Sequence, residues 1–64
     1  MIYKIILKGL MPGSEVWEQH AAFLNALPSD DIDGMILSHI YEWRSKVGYY
    51  KVKYMSKEVI QCDN

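Results

Sequence analysis

The sequence predicts a small α+β domain of order β-α-α-β-β, with two helices packed on one face of a three-stranded, mainly antiparallel sheet. Three observations predict this class. Both ends of the chain alternate apolar and polar residues, as strands do, whereas the middle repeats apolar residues at offsets of three and four, as helices do. Half of the 64 residues are hydrophobic, which indicates a folded chain of one domain, residues 1–64.

Residues 2–10 are predicted to form the first strand. One of its faces is wholly apolar and is expected to point into the core. That face is formed by Tyr3, Ile5 and Leu7. The opposite face is mixed because it carries Lys4 and Lys8, which is typical of an antiparallel sheet with one solvated side.

A first helix is predicted from Glu15 to about Ala26, after a turn at Pro12-Gly13. Ser14 has the chemistry of an N-cap, and Pro28 prevents simple continuation of the helix. The apolar stripe of this helix comprises Val16, Trp17, His20, Ala21, Phe23, Leu24 and Leu27.

A second helix is predicted between a cap at Ser29 or Asp30 and a C-terminal stop at Gly48. Its apolar face comprises Ile32, Met35, Ile36, His39, Ile40 and Trp43. Gly34 in the first turn costs about 1 kcal/mol relative to Ala, unless it permits a close approach. Residues 49–55 predict the next strand, and a turn at Ser56-Lys57 leads to a short edge strand over 58–62.

No motif predicts catalysis, a cofactor or a metal. His20, His39 and Cys62 lack the paired spacing of a zinc site. The acids at 30–33 lack a calcium loop's twelfth ligand, because Ile40 occupies that position. Glycine loops that bind phosphate and turns that activate serine are also lacking. We therefore expect a protein without enzymatic activity.

A single cysteine excludes an internal disulfide and indicates a reduced, cytoplasmic protein. The apolar stretch at the start of the chain is interrupted by two lysines and is too short to span a bilayer. The sequence therefore predicts no association with a membrane.

The net charge of −1 conceals a marked asymmetry along the chain. All seven Lys and Arg residues lie outside residues 9–43, a segment that carries six of the eight acids. An acidic helical half between two basic strand segments predicts two unlike surfaces, which can steer an encounter with a charged partner.

The leading functional hypothesis is a protein-binding module, an inhibitor or adaptor, that docks an acidic, aromatic helical face onto a basic site of a larger protein. A nucleic-acid-binding enzyme or complex is one such partner. The predicted contact residues are Glu15, Glu18, Asp30, Asp31, Asp33, Trp17 and Tyr41. In size and composition the chain resembles in style the small host-directed inhibitors, anti-defence proteins among them, of bacteriophages and mobile elements.

Two alternatives stay open. A basic sheet face could bind nucleic acid through phosphate contacts and stacking, although the pI near 6.0 is low for a dedicated binder. The residues predicted for that face are Lys4, Lys8, Tyr49, Lys51 and Lys53. The other alternative is a structural domain that self-associates as a symmetric homodimer and so buries its surplus hydrophobic residues.

Overall fold

The computed structural model describes residues 1–62 and contains three strands and one helix in that range. In chain order these are β1 (Ile2–Leu10), β2 (Trp17–Asn25), α1 (Ile32–Val47) and β3 (Lys51–Gln61). The sheet is antiparallel throughout, with strand order β2-β1-β3. The α+β class and the three-stranded antiparallel sheet are confirmed, but the prediction of two helices is wrong.

The segment predicted as the first helix forms β2. Its nine residues pair with β1 along the full length of that strand, from Leu10 opposite Trp17 to Ile2 opposite Asn25. The apolar residues of this segment fit a period of two as well as a helical period, so the sequence pattern alone is ambiguous. Pairing with β1 satisfies the backbone groups of both strands and decides between the two periods.

The turn predicted at Pro12-Gly13 is confirmed. Ser14 donates its backbone N–H to the carbonyl of Met11 over 3.1 Å, and Gly13 has φ +78°, as a type II turn requires at its third residue. Ser14 does not cap a helix. Its hydroxyl accepts the backbone N–H of Val16 at 3.1 Å, and the chain then enters β2.

The helix α1 begins and ends close to the predicted positions. Gly48 ends it in a left-handed conformation (φ +88°) and donates its N–H to the carbonyl of Arg44 over 2.8 Å. The cap predicted at Ser29 or Asp30 is wrong. Asp31 is the N-cap and makes no side-chain cap bond, while Asp30 accepts the backbone N–H of Leu27 at 2.8 Å.

Lys51–Gln61 forms one continuous strand, so the predicted turn at Ser56-Lys57 and the separate edge strand are wrong. Ser56 and Lys57 lie opposite Ile6 and Ile5 of β1, inside the ladder. The interruption there is milder than a turn: the register shifts by one residue so that Met55 is bulged. Lacking a favoured turn dipeptide, the chain continues beside β1 to the end of that strand.

The hydrophobic core lies between α1 and one face of the sheet. Ile5, Leu7 and Ile36 are buried at its centre, which confirms the face predicted for Ile5 and Leu7. The side chains that pack around them are Leu24, Ile32, Ile40, Trp43 and Val52. The opposite face of the sheet, which faces away from this core, we call the open face.

Candidate functional site: the open face of the sheet

Strand pairing places four lysines together on the open face. Residues directly opposite each other in an antiparallel pair share a face. Lys8 lies opposite Lys53, Leu10 lies opposite Lys51, and Lys4 follows on the same side of β1. The lysines predicted from alternation at both ends of the chain therefore occupy one surface.

Two aromatic residues of β2 join these lysines. Trp17 lies opposite Leu10, and Phe23 lies opposite Lys4, so both rings belong to the open face. The ammonium of Lys53 sits 4.2 Å from the centre of the Trp17 ring, a cation–π contact across the width of the sheet. Phe23 is 62% exposed, which leaves its ring free to stack on a ligand.

The charges of the open face are poorly balanced. Lys8 and Lys53 are directly opposite, an arrangement of like charges that destabilises a sheet. Glu58, opposite Lys4, is the one acid at a paired position of this face. Among residues 1–62, none of the four lysines forms an ion pair, so the surface carries an excess of positive charge. A bound anion would relieve that excess.

Tyr49 does not belong to the open face. It is buried on the α1 side, where its ring lies 4.5 Å from that of Trp43. Its hydroxyl donates to Glu18 at 3.3 Å. Burial first, and then the Glu18 carboxylate, raise the pKa of Tyr49. The alternation that grouped Tyr49 with the lysines does not hold, because β3 begins only at Lys51.

The sequence interpretation missed Trp17 and Phe23 as members of the sheet. Both were assigned to the apolar stripe of a helix. Trp17, Gln19, Ala21 and Phe23 share the open face through the pairing of β2 with β1. The sequence does not reveal it, because residues 21–24 are consecutively apolar and do not alternate.

The acids predicted to form one helical face lie at opposite ends of β2. Glu15 and Glu18 lie at its start, whereas the acids of residues 30–33 lie beyond its end. Those acids are Asp30, Asp31 and Asp33. Glu18 and the acids of residues 30–33 are separated along the chain by the rest of β2 and a loop, and Asp33 reaches the middle of the sheet, where it approaches Lys57. Protein docking through one continuous acidic face stays a prediction that this arrangement does not favour.

Several members of that predicted contact set already have partners or lie on other surfaces. Asp33 approaches Lys57 at 3.5 Å, and Glu18 accepts the hydroxyl of Tyr49. Trp17 lies on the open face of the sheet, while Tyr41 is 65% exposed on α1. The set therefore divides among three regions of the molecule.

A pair of histidines joins β2 to α1. His20 and His39 stack with their Nε2 atoms 3.4 Å apart, and His20 also stacks on Trp43 at 4.5 Å. Burial first, and then the neighbouring His39, lower the pKa of His20. No cluster of three or more metal-ligating side chains occurs in residues 1–62. The pair is thus a contact between elements, sensitive to protonation.

This contact predicts that stability falls in mild acid. Since the pKa of His20 is lowered from 6.5 on folding, the unfolded chain binds protons more readily. The free energy of unfolding should decline as the pH falls below about 6.5. Thermal unfolding followed by circular dichroism between pH 7.5 and 5.5 measures this. His39→Gln should make the pH dependence shallower only in part, because burial, the larger cause of the lowered pKa of His20, remains. An unchanged pH dependence in that variant would rule out coupling between the two rings.

Within residues 1–62, no helix has the length and apolar character needed to cross a membrane.

Comparisons with known proteins give no functional guide. No protein-family model matches the chain, and no curated protein or solved structure matches it either.

Proposed function

We propose that this protein binds single-stranded nucleic acid through the open face of its sheet, without catalysing a reaction. The observation that supports this most directly is the meeting of four lysines and two aromatic rings on the face of the sheet opposite the core. Proteins that bind single strands combine a cationic path for the backbone with aromatic side chains on which bases stack. Both components are present on this face.

Single-stranded ligands suit this surface better than duplexes. The exposed ring of Phe23 can stack only on a base whose face is free, and paired bases hide their faces in the duplex. Trp17 is half-buried beneath Lys53, so the pair offers a positive charge beside a ring. A phosphate and its neighbouring base could occupy this pair together.

The low pI does not oppose the proposal, because the charges are segregated. The open face holds four lysines against Glu58 at paired positions, although the whole chain has a net charge of −1. Binding should therefore be local and strongly dependent on salt. For single strands, the logarithm of the binding constant falls by about 0.7 for each tenfold rise in salt concentration and each phosphate contact.

Replacing a lysine of the open face should weaken binding. We expect Lys8→Gln to lower the affinity for a fluorescein-labelled twelve-nucleotide oligothymidine and to make the logarithmic salt slope shallower by about 0.7. Fluorescence anisotropy at several salt concentrations measures both. Lys46→Gln on α1 removes the same charge from another surface and should leave the slope unchanged. Equal effects of the two variants would show that net charge, not the open face, drives binding.

Removing the exposed aromatic ring tests the stacking component. Phe23→Ala should cost about 1–3 kcal/mol of binding free energy, with little change in the salt slope. The matched control is Tyr41→Ala, since Tyr41 is 65% exposed, close to the 62% of Phe23, but lies on α1. If the folded wild-type protein binds no oligonucleotide at about 50 mM salt, the proposal fails. Docking of the acidic groups onto a protein would then be the first hypothesis to test.

A further inference from the structure

The outer edge of β3 is unpaired in the described part of the chain. β3 lies at one side of the sheet and is eleven residues long. Its exposed apolar side chains are Tyr54, Met55, Val59 and Ile60, each between 44% and 47% exposed. A long edge strand with exposed apolar side chains is a template for pairing with another strand.

The bulge in β3 makes this edge self-complementary. An antiparallel copy of β3, related by a two-fold axis between Met55 and Ser56, would place Lys53 opposite Glu58 of the copy. In a regular strand those two residues would point to opposite faces, since their separation is odd. The register shift at Met55 brings both onto the open face, where Lys53 faces Lys8 and Glu58 faces Lys4.

The same two-fold register matches the side chains on the α1 side. Tyr54 and Lys57 both lie there, opposite Leu7 and Ile5 of β1. In the pair of copies, Tyr54 would lie opposite Lys57 of the copy, an aromatic ring beside a cation. Lysines usually protect an edge strand from pairing, but here two of the three lysines in β3 would meet a suitable partner.

The other edge of the sheet lacks this property. β2 contains one formally charged residue, Glu18, so no two-fold register of β2 can form an ion pair. Glu18 is also engaged by the hydroxyl of Tyr49. Of the two free edges, only that of β3 combines exposed apolar side chains with opposite charges in matching positions.

We infer that two copies of this chain pair along β3 and form a continuous six-stranded antiparallel sheet. Lys53 of each copy leaves its contact with the Trp17 ring and pairs with Glu58 of the other copy, so the two-fold axis generates two ion pairs. The open faces of both copies then adjoin and form one cationic surface. The dimer itself does not depend on nucleic-acid binding, whereas the longer binding surface rests on the proposed function.

Charge exchange tests the dimer without any nucleic acid present. Sedimentation velocity of the nucleic-acid-free protein from about 5 to 500 µM should show a concentration-dependent dimer in the wild type. Lys53→Glu and Glu58→Lys should each weaken dimerisation about ten-fold or more, since like charges then face each other at two places. The double variant K53E/E58K should restore it, and a mixture of the two single variants should form a heterodimer.

The control is Lys51→Glu, the same charge change on the same strand and face, where the register places no acid opposite. It should dimerise like the wild type. Circular dichroism checks the fold of each variant, and Glu58→Gln provides a milder change if a reversal fails to fold. A wild type that stays monomeric, or a double variant no better than the single ones, would overturn the inference. Oligonucleotide binding by a monomeric wild type would leave the proposed function standing.

Discussion

Replacing Ile36 by Ala should lower the free energy of unfolding by about 2–5 kcal/mol, the range found for buried Leu and Ile truncations. Ile36 is the buried side chain of α1, 4% exposed, and it packs against Ile5 and Leu7 of the sheet. Truncation leaves a cavity where helix and sheet meet. Since small domains are stable by only about 5–15 kcal/mol, the variant should lose a large fraction of its stability.

Leu37→Ala is the matched control, because Leu37 is the next residue of α1 and is 56% exposed. The two substitutions have similar effects on helix propensity, but the second creates no cavity. We expect a change within about 0.5 kcal/mol for Leu37→Ala, as for most surface substitutions. Urea denaturation followed by circular dichroism compares them. Equal losses in both variants would mean that α1 does not dock through Ile36.

The helix α1 was predictable because its signals are local. Gly48 ends it, and residues such as Ile36 and Ile40 at helical spacing mark its buried face. Gly34 fits the predicted close approach, since an added Cβ would lie 2.7 Å from the Asp31 carboxylate. None of these features requires knowledge of a distant part of the chain.

The strand β2 was not predictable in the same way. Its assignment as a strand depends on pairing with β1, a distant part of the chain, and not on a local pattern of residues. Residues such as His20 and Leu24 fall on the buried side under either reading, because both periods place them together. A helix formed by these residues would also have had no apolar sheet surface to pack on, since α1 already packs on the buried face.

For this reason the sequence predicts only the lysines of the candidate site and not its aromatic residues. The four lysines lie on strands whose alternation is clear, so the sequence places them on one surface if the two strands are neighbours, and the pairing of β1 with β3 meets that condition. Trp17 and Phe23 reach the same face only through the pairing of β2. The predicted acidic helical face required a first helix that does not form. Because that segment is the strand β2, the acids lie in two separate groups.

Gly9→Ala should destabilise the protein by about 1–3 kcal/mol, the cost of overpacking a close-packed interior. An added Cβ would lie 2.7 Å from three ring atoms of Tyr49, closer than carbon atoms can approach. The ring is held in place, because Trp43 packs on it and Glu18 accepts its hydroxyl. Gly9 does not have a positive φ, so the effect is one of space rather than backbone conformation.

Gly34→Ala is the comparison that isolates this cause. Its added Cβ would also meet an atom at 2.7 Å, but that atom is the Asp31 carboxylate oxygen, the end of an exposed side chain that can rotate away. Relief of the glycine penalty in a helix, about 1 kcal/mol, should make this variant neutral or stabilised. In a double-mutant cycle, Gly9→Ala should cost much less in a Tyr49→Ala background. An undiminished cost would assign the effect to β1 itself and not to the Tyr49 ring.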